Sequence, residues 1–63
     1  MNRNAIVRVA KILAHRDNVD LHDAIDLIDE TLQEMADFGY TDAEEIWESN
    51  TGLEPDYLLD ILL

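Results

Sequence analysis

Carboxylates are the side chains dense enough in this sequence to do chemistry, and five of them recur at steps of three and four: Asp23, Asp26, Glu30, Glu34 and Asp37. On a helix that spacing puts all five on one ridge. With a rise of about 1.5 Å per residue the ridge is roughly 21 Å long and carries one charge every 4 to 5 Å or so. Carboxylates so arranged can hold a metal ion, work as a general acid and base, or dock a cation. A calcium loop opening at Asp17 fails, because Val19 and Leu21 stand where oxygen ligands are needed and no glycine marks the turn. His22 and Asp26 share a helix face but are too few to hold a divalent ion, so His22 reads as an exposed side chain. Acid–base catalysis needs a concave, water-excluding pocket, which so small a domain can scarcely build beside its own core. Ser49 is the sole serine, and no glycine-rich phosphate loop is present. The expectation is a non-enzymatic protein with no cofactor and no metal.

Cation docking remains, and charge distribution favours it. Arg3, Arg8, Lys11 and Arg16 are the only strong bases, and all 15 carboxylates follow them, which leaves residues 17–63 without a single Lys or Arg. A solvated helix face normally mixes signs and gains from pairs four residues apart, whereas like charges at these spacings cost a few tenths of a kcal/mol each. Two readings of the ridge stand: a face that only keeps the protein in solution, or a docking surface for a basic partner protein. The basic first helix also has two readings, since its cations can neutralise the chain's own acidic helices or those of a second copy. A net charge of −11 opposes direct binding to nucleic acid or to anionic membranes.

The scaffold that positions the ridge is legible from punctuation. Three triplets join a residue tolerant of left-handed backbone, an apolar residue and a polar one: Asn18-Val19-Asp20, Gly39-Tyr40-Thr41 and Gly52-Leu53-Glu54, the last followed by Pro55. Each reads as a helix end with its apolar residue folded back, then a new start. Asp20 with Asp23 and Thr41 with Glu44 have capping spacings, and Pro55 suits a first helical position. Helices are expected at about 3–16, 21–38, 42–51 and 55–62. No segment alternates as a strand would. The fold class is all-α: a compact bundle of three to four short helices forming a single domain over residues 1–63.

Apolar spacing assigns the core. Ile6, Val9, Ala10 and Leu13 line one side of the first helix, with Arg8, Lys11 and His15 opposite. Leu21, Ile25, Ile28, Leu32 and Met35 line the second, and Ala43, Ile46 and Trp47 the third. Trp47 is expected in the core with its indole N–H at the rim. Leu27 and Phe38 point toward the ridge's edge. Phe38 is expected to close the bundle beside Gly39, and Leu27 divides evenly between core and interface. The last helix is apolar nearly all round, because Tyr57, Leu58, Leu59, Ile61, Leu62 and Leu63 surround a single Asp60. Such a helix must be covered on more than one side, by a second subunit or by the other three helices. With no cysteine to staple so short a chain, self-association is the expected reinforcement and these six residues the expected dimer interface. No apolar run approaches the length of about 20 residues that spans a bilayer, and no signal-peptide pattern opens the chain. A soluble, cytoplasmic protein is expected.

Two resemblances add context. The segment Thr51-Gly52-Leu53-Glu54-Pro55-Asp56-Tyr57-Leu58-Leu59-Asp60-Ile61-Leu62-Leu63 resembles the ending of small acidic proteins carried by prophages and conjugative elements, where Gly-Leu-Glu-Pro-Asp-Tyr leads into a leucine-rich terminus. That likeness covers about a fifth of the chain and implies an origin in a phage or mobile element rather than an activity. Residues 32–63 are loosely similar in layout to ubiquitin-associated domains, with Phe38 standing where that family has Met before Gly39-Tyr40. This likeness implies a compact helical architecture. The functional expectation is a small module whose partner-binding residues are Asp23, Asp26, Leu27, Glu30, Glu34 and Asp37, docking on a basic protein surface. Its rivals are a nucleic-acid mimic that occupies the cleft of a DNA- or RNA-binding protein, and a homodimer with no other partner.

Overall fold

The structure, a computed structural model, describes residues 2–63. It contains four helices, α1 (Arg3–Asp17), α2 (Leu21–Asp37), α3 (Ala43–Thr51) and α4 (Pro55–Leu62), and no strand among the described residues. The bounds lie within one residue of those expected. Packing closes a ring: α1 lies against α2 and α4, and α3 against α2 and α4. The body measures 30 × 21 × 18 Å. The protein is an all-α bundle of short helices.

Helix ends account for the topology. Asn18, Gly39 and Gly52 all take the left-handed conformation, at φ 55°, 65° and 70°. After α2 the Gly39 N–H donates to the Ala36 carbonyl at 3.0 Å and the Tyr40 N–H to the Met35 carbonyl at 2.8 Å, the paired bonds of a Schellman closure. Past α1 the Val19 N–H reaches the Ala14 carbonyl at 3.1 Å in the same way. Beyond α3 a single bond from the Gly52 N–H to the Glu48 carbonyl, 2.8 Å, ends the helix. The expectation that an apolar residue folds back after each end holds only for Leu53, which is buried, whereas Val19 and Tyr40 stay exposed. Helix starts differ more. Asn2 caps α1 by accepting from the Ala5 N–H at 3.2 Å. Neither Asp20 nor Glu54 makes a side-chain cap bond. The Thr41–Glu44 capping box does not form, because the residue entering α3 is Asp42, itself left-handed at φ 59° and without a side-chain cap bond. Pro55 takes the first turn of α4 as expected.

Among the described residues thirteen apolar side chains form the core, and Ile6, Val9, Ala10 and Leu13 of α1 are all among them. The core face of α2 is rotated from the one its large side chains indicate. Ala24, Ile28, Thr31, Leu32 and Met35 are buried, while Leu21 is exposed and Ile25 half-buried. Small side chains accompany the rotation: Ala24 on α2 and Ala5 and Ala10 on α1 are all buried in the core, and small residues allow close packing of neighbouring helices. Thr31 becomes admissible because its hydroxyl donates to the Leu27 carbonyl at 2.7 Å and accepts from Asn50 Nδ2 at 3.3 Å.

The corner between α3 and α4 is held by polar groups inside the core. Trp47 is fully buried, and its Nε1–H donates to the Glu54 carbonyl at 3.0 Å. The Thr51 hydroxyl donates to the Trp47 carbonyl at 2.7 Å and accepts from the Leu53 N–H at 3.1 Å. Over this corner lies Arg16, which donates to the Thr51 carbonyl at 2.6 Å and to both carboxylate oxygens of Asp17 at 2.8 and 2.9 Å. A cation at a helix C-terminus is favoured by the dipole. Gly52 makes this approach possible, because a Cβ there would sit 3.1 Å from a guanidinium nitrogen of Arg16. The N-terminal segment is tied to α4 by a bond from the Asn2 N–H to the Ile61 carbonyl, 2.9 Å.

Two stability predictions follow from this corner. Thr51→Val keeps the shape but leaves the buried Leu53 N–H without its acceptor, and should cost about 1–3 kcal/mol in chemical denaturation; Thr51→Ser should recover most of that loss. Gly52→Ala should destabilise more than Gly39→Ala, because both carry the left-handed penalty of about 1–2 kcal/mol while only the first also displaces Arg16. Equal melting points for the two alanine variants would show that the Arg16 contact contributes nothing.

Candidate interaction surface

The five ridge carboxylates, Asp23, Asp26, Glu30, Glu34 and Asp37, are all exposed on the side of α2 away from the core. By helix rise α2 is about 25 Å long, and the ridge from Asp23 to Asp37 runs along most of it. Among the described residues no arginine or lysine pairs with it. The two ion pairs among the described residues are Arg3–Asp29 at 3.1 Å and Arg16–Asp17 at 2.8 Å, and neither carboxylate belongs to the ridge. Helical phase is the reason: Asp29 lies on the flank of α2 that faces α1, whereas the five ridge residues turn away from it. Ridge contacts are limited to neutral amides, Asn50 Nδ2 to Glu34 Oε1 at 3.4 Å and Gln33 Nε2 to Asp37 Oδ1 at 3.3 Å. Arg8 and Lys11 make no ion pair among the described residues and point from α1 to solvent. Intramolecular neutralisation of the basic helix is therefore limited to Arg3 and Arg16.

Leu27 is half-buried and packs against the core from the edge of the ridge. Phe38 departs from expectation. It does not close the bundle: 63% of its surface is exposed. The Schellman closure turns the chain away after Phe38, and α3 begins only after a further three left-handed residues, Gly39, Tyr40 and Asp42, so nothing folds over the ring. Phe38 instead walls a groove of about 360 Å³ between the end of α2 and α3, lined also by Glu34, Thr41, Asp42, Glu45, Ile46 and Ser49. Glu34 belongs to both ridge and groove, which makes the two surfaces continuous. Sequence reading missed this groove because its lining comes from two helices and the turn between them.

The six residues expected at a dimer interface separate into three groups. Leu58 and Ile61 are 2% and 0% exposed within the single chain, so they belong to its own core and are corrected out of any interface. Packing of α4 between α1 and α3 buries that stripe. Tyr57 is half-buried, lining a second groove with Lys11, Ile12, His15, Arg16, Leu53 and Glu54. Leu59, Leu62 and Leu63 remain exposed. The α4 helix is thus covered on one side only.

Arg16 and Asp17 form a clamp at the end of α1. Hydrogen bonds between the two side chains hold the Asp17 carboxyl below the usual carboxylate range and push the Arg16 guanidinium up. Among the described residues no group of three or more potential ligands could hold a metal ion, and no helix is long and apolar enough to cross a membrane. His22 is exposed. No family model, curated protein or solved structure matches this chain.

Proposed function

We propose that this protein is a small protein-binding module that docks the ridge Asp23, Asp26, Glu30, Glu34 and Asp37, with the half-buried Leu27 at its edge, on a positively charged surface of another protein. The observation that carries this reading is that, among the described residues, no arginine or lysine pairs with the ridge, although four strong bases are present in the chain. Uncompensated like charges on one helix face oppose folding, and an incoming basic surface removes that repulsion while releasing counterions. Apolar contact at the ridge's end, where Phe38 is exposed, supports a protein partner over a pure imitation of a phosphate backbone. The mimic reading differs in one respect: its partner must release the module when DNA or RNA is added.

The ridge is tested with a fluorescent hexa-arginine peptide at low salt. Binding should weaken steeply as salt rises past about 0.1 M, where the screening length falls to roughly 10 Å. The variant Asp26→Lys/Glu30→Lys/Glu34→Lys should lose binding while retaining a helical, cooperative melt, because all three side chains are exposed. Unchanged affinity in that variant would remove the ridge from the function.

A second reading rests on Leu59, Leu62 and Leu63, which leave an apolar edge on α4. If two copies bury this edge together, the melting midpoint should rise with protein concentration. A midpoint constant over about a hundredfold dilution would mean that the edge stays solvated.

A further inference from the structure

The groove at the end of the ridge has a composition that selects one kind of side chain. One wall is the exposed ring of Phe38, Ile46 supplies further apolar lining, and the carboxylates of Glu34, Asp42 and Glu45 surround them with the hydroxyls of Thr41 and Ser49. A purely apolar occupant would strip water from three carboxylates and give nothing back, which is unfavourable. A lysine ammonium would meet the charge, but it is compact and strongly hydrated. Guanidinium satisfies both halves of the lining, since it is planar, sheds water readily, stacks on an aromatic face and donates in pairs to carboxylates. The aliphatic stem of arginine matches Ile46.

Helix electrostatics point the same way. The C-terminal end of α2 is its negative pole, where a cation is favoured, yet its last turn contains no basic residue and the acidic Glu34 and Asp37 stand there instead. At the C-terminus of α3 the demand is met from within, where Arg16 donates to the Thr51 carbonyl, whereas α2 and α4 have no basic residue in the last turn. The carbonyls at the end of α2 are engaged by the Schellman closure, so what draws a cation there is the helix dipole together with Glu34 and Asp37. Asp42 and Glu45 suit the N-terminus of α3 on their own account, so Glu34 and Phe38 are the residues whose placement that helix does not explain.

We propose that the groove formed by Glu34, Phe38, Asp42, Glu45 and Ile46 is an arginine-anchoring pocket, which seats one arginine of the basic partner against the Phe38 ring while the ridge engages the remaining charges. This rests on the ridge reading and deepens it, by making the partner's docking segment arginine-bearing rather than merely cationic.

The experiment compares hexa-arginine with hexa-lysine on the intact chain, by fluorescence anisotropy and by amide chemical shifts. Wild-type protein should bind hexa-arginine more tightly, with shifts at residues 38–46 in addition to those along α2. Phe38→Ala and Phe38→Leu should each lose about three- to fivefold in hexa-arginine affinity and weaken hexa-lysine less, so that the arginine preference shrinks, while Phe38→Trp should keep the preference. Exposure of the ring makes all three variants compatible with folding. Equal affinities for the two peptides in wild-type protein would overturn the pocket and leave the ridge standing, as would an arginine preference that survives Phe38→Ala. Failure of both peptides to bind would overturn the ridge and the pocket together. Shifts at residues 38–46 that depend on protein concentration alone would assign the groove to a second copy of the chain and overturn the proposal.

Discussion

Burial of Trp47 is the constraint on which the rest of this bundle depends. It is the largest fully buried side chain, and its indole N–H must find an acceptor inside the core. The Glu54 carbonyl, one residue before α4, provides it. Gly52 ends α3, and the indole bond then ties the start of α4 back to it. Helices of nine and eight residues are too short to persist alone in water, where about 12–15 residues are marginal even for favourable sequences. Tertiary packing around the indole, with Thr51 and Leu53 sealing the corner, makes α3 and α4 helical at all.

The same corner decides what becomes of the chain's few cations. Arg16 is used to close the end of α3 and is neutralised by its neighbour Asp17, and Arg3 joins α1 to α2 through Asp29. Both pairs are partly exposed, so each contributes little to stability. Their effect is geometric. Cations are drawn to the α1 flank and to the α3–α4 corner, on the sides of the bundle away from the ridge. A molecule of net charge −11 thereby keeps five carboxylates of α2 without a paired arginine or lysine among the described residues. Repulsion along that face is tolerable because its charges lie in water, where two of them 4 Å apart interact by only about 1 kcal/mol.

Interior polar groups are few and all engaged: among the described residues no buried side-chain nitrogen or oxygen lacks a partner. The stability of so small a core leaves little margin for unsatisfied groups. Departures from tight closure gather instead at residues 38–42, where Tyr40 and Asp42 adopt left-handed backbone without being glycine and Phe38 stays uncovered. Left-handed conformations of this kind cost of order 1–3 kcal/mol each and persist where surrounding structure holds them. Here the Schellman closure of α2 and the packing of α3 on α2 do so, and the groove between them is the result.

Local chemistry in the sequence determined the all-α class, the four helices to within a residue, their three left-handed ends and the collinear acidic ridge. Each depends on neighbours a few positions away: Gly39 and Gly52 on backbone freedom, Pro55 on its missing N–H, the five carboxylates on helical period. Tertiary structure alone decided the rotation of α2 that buries Ala24 and Thr31 and exposes Leu21, the division of α4 into the buried Leu58 and Ile61 and the exposed Leu59 and Leu62, and the uncovering of Phe38. It also decided that the ridge would carry no base. These outcomes turn on how closely two backbones can approach and which flank of one helix meets another, and such distances between residues far apart in sequence are not encoded in the spacing of any one segment.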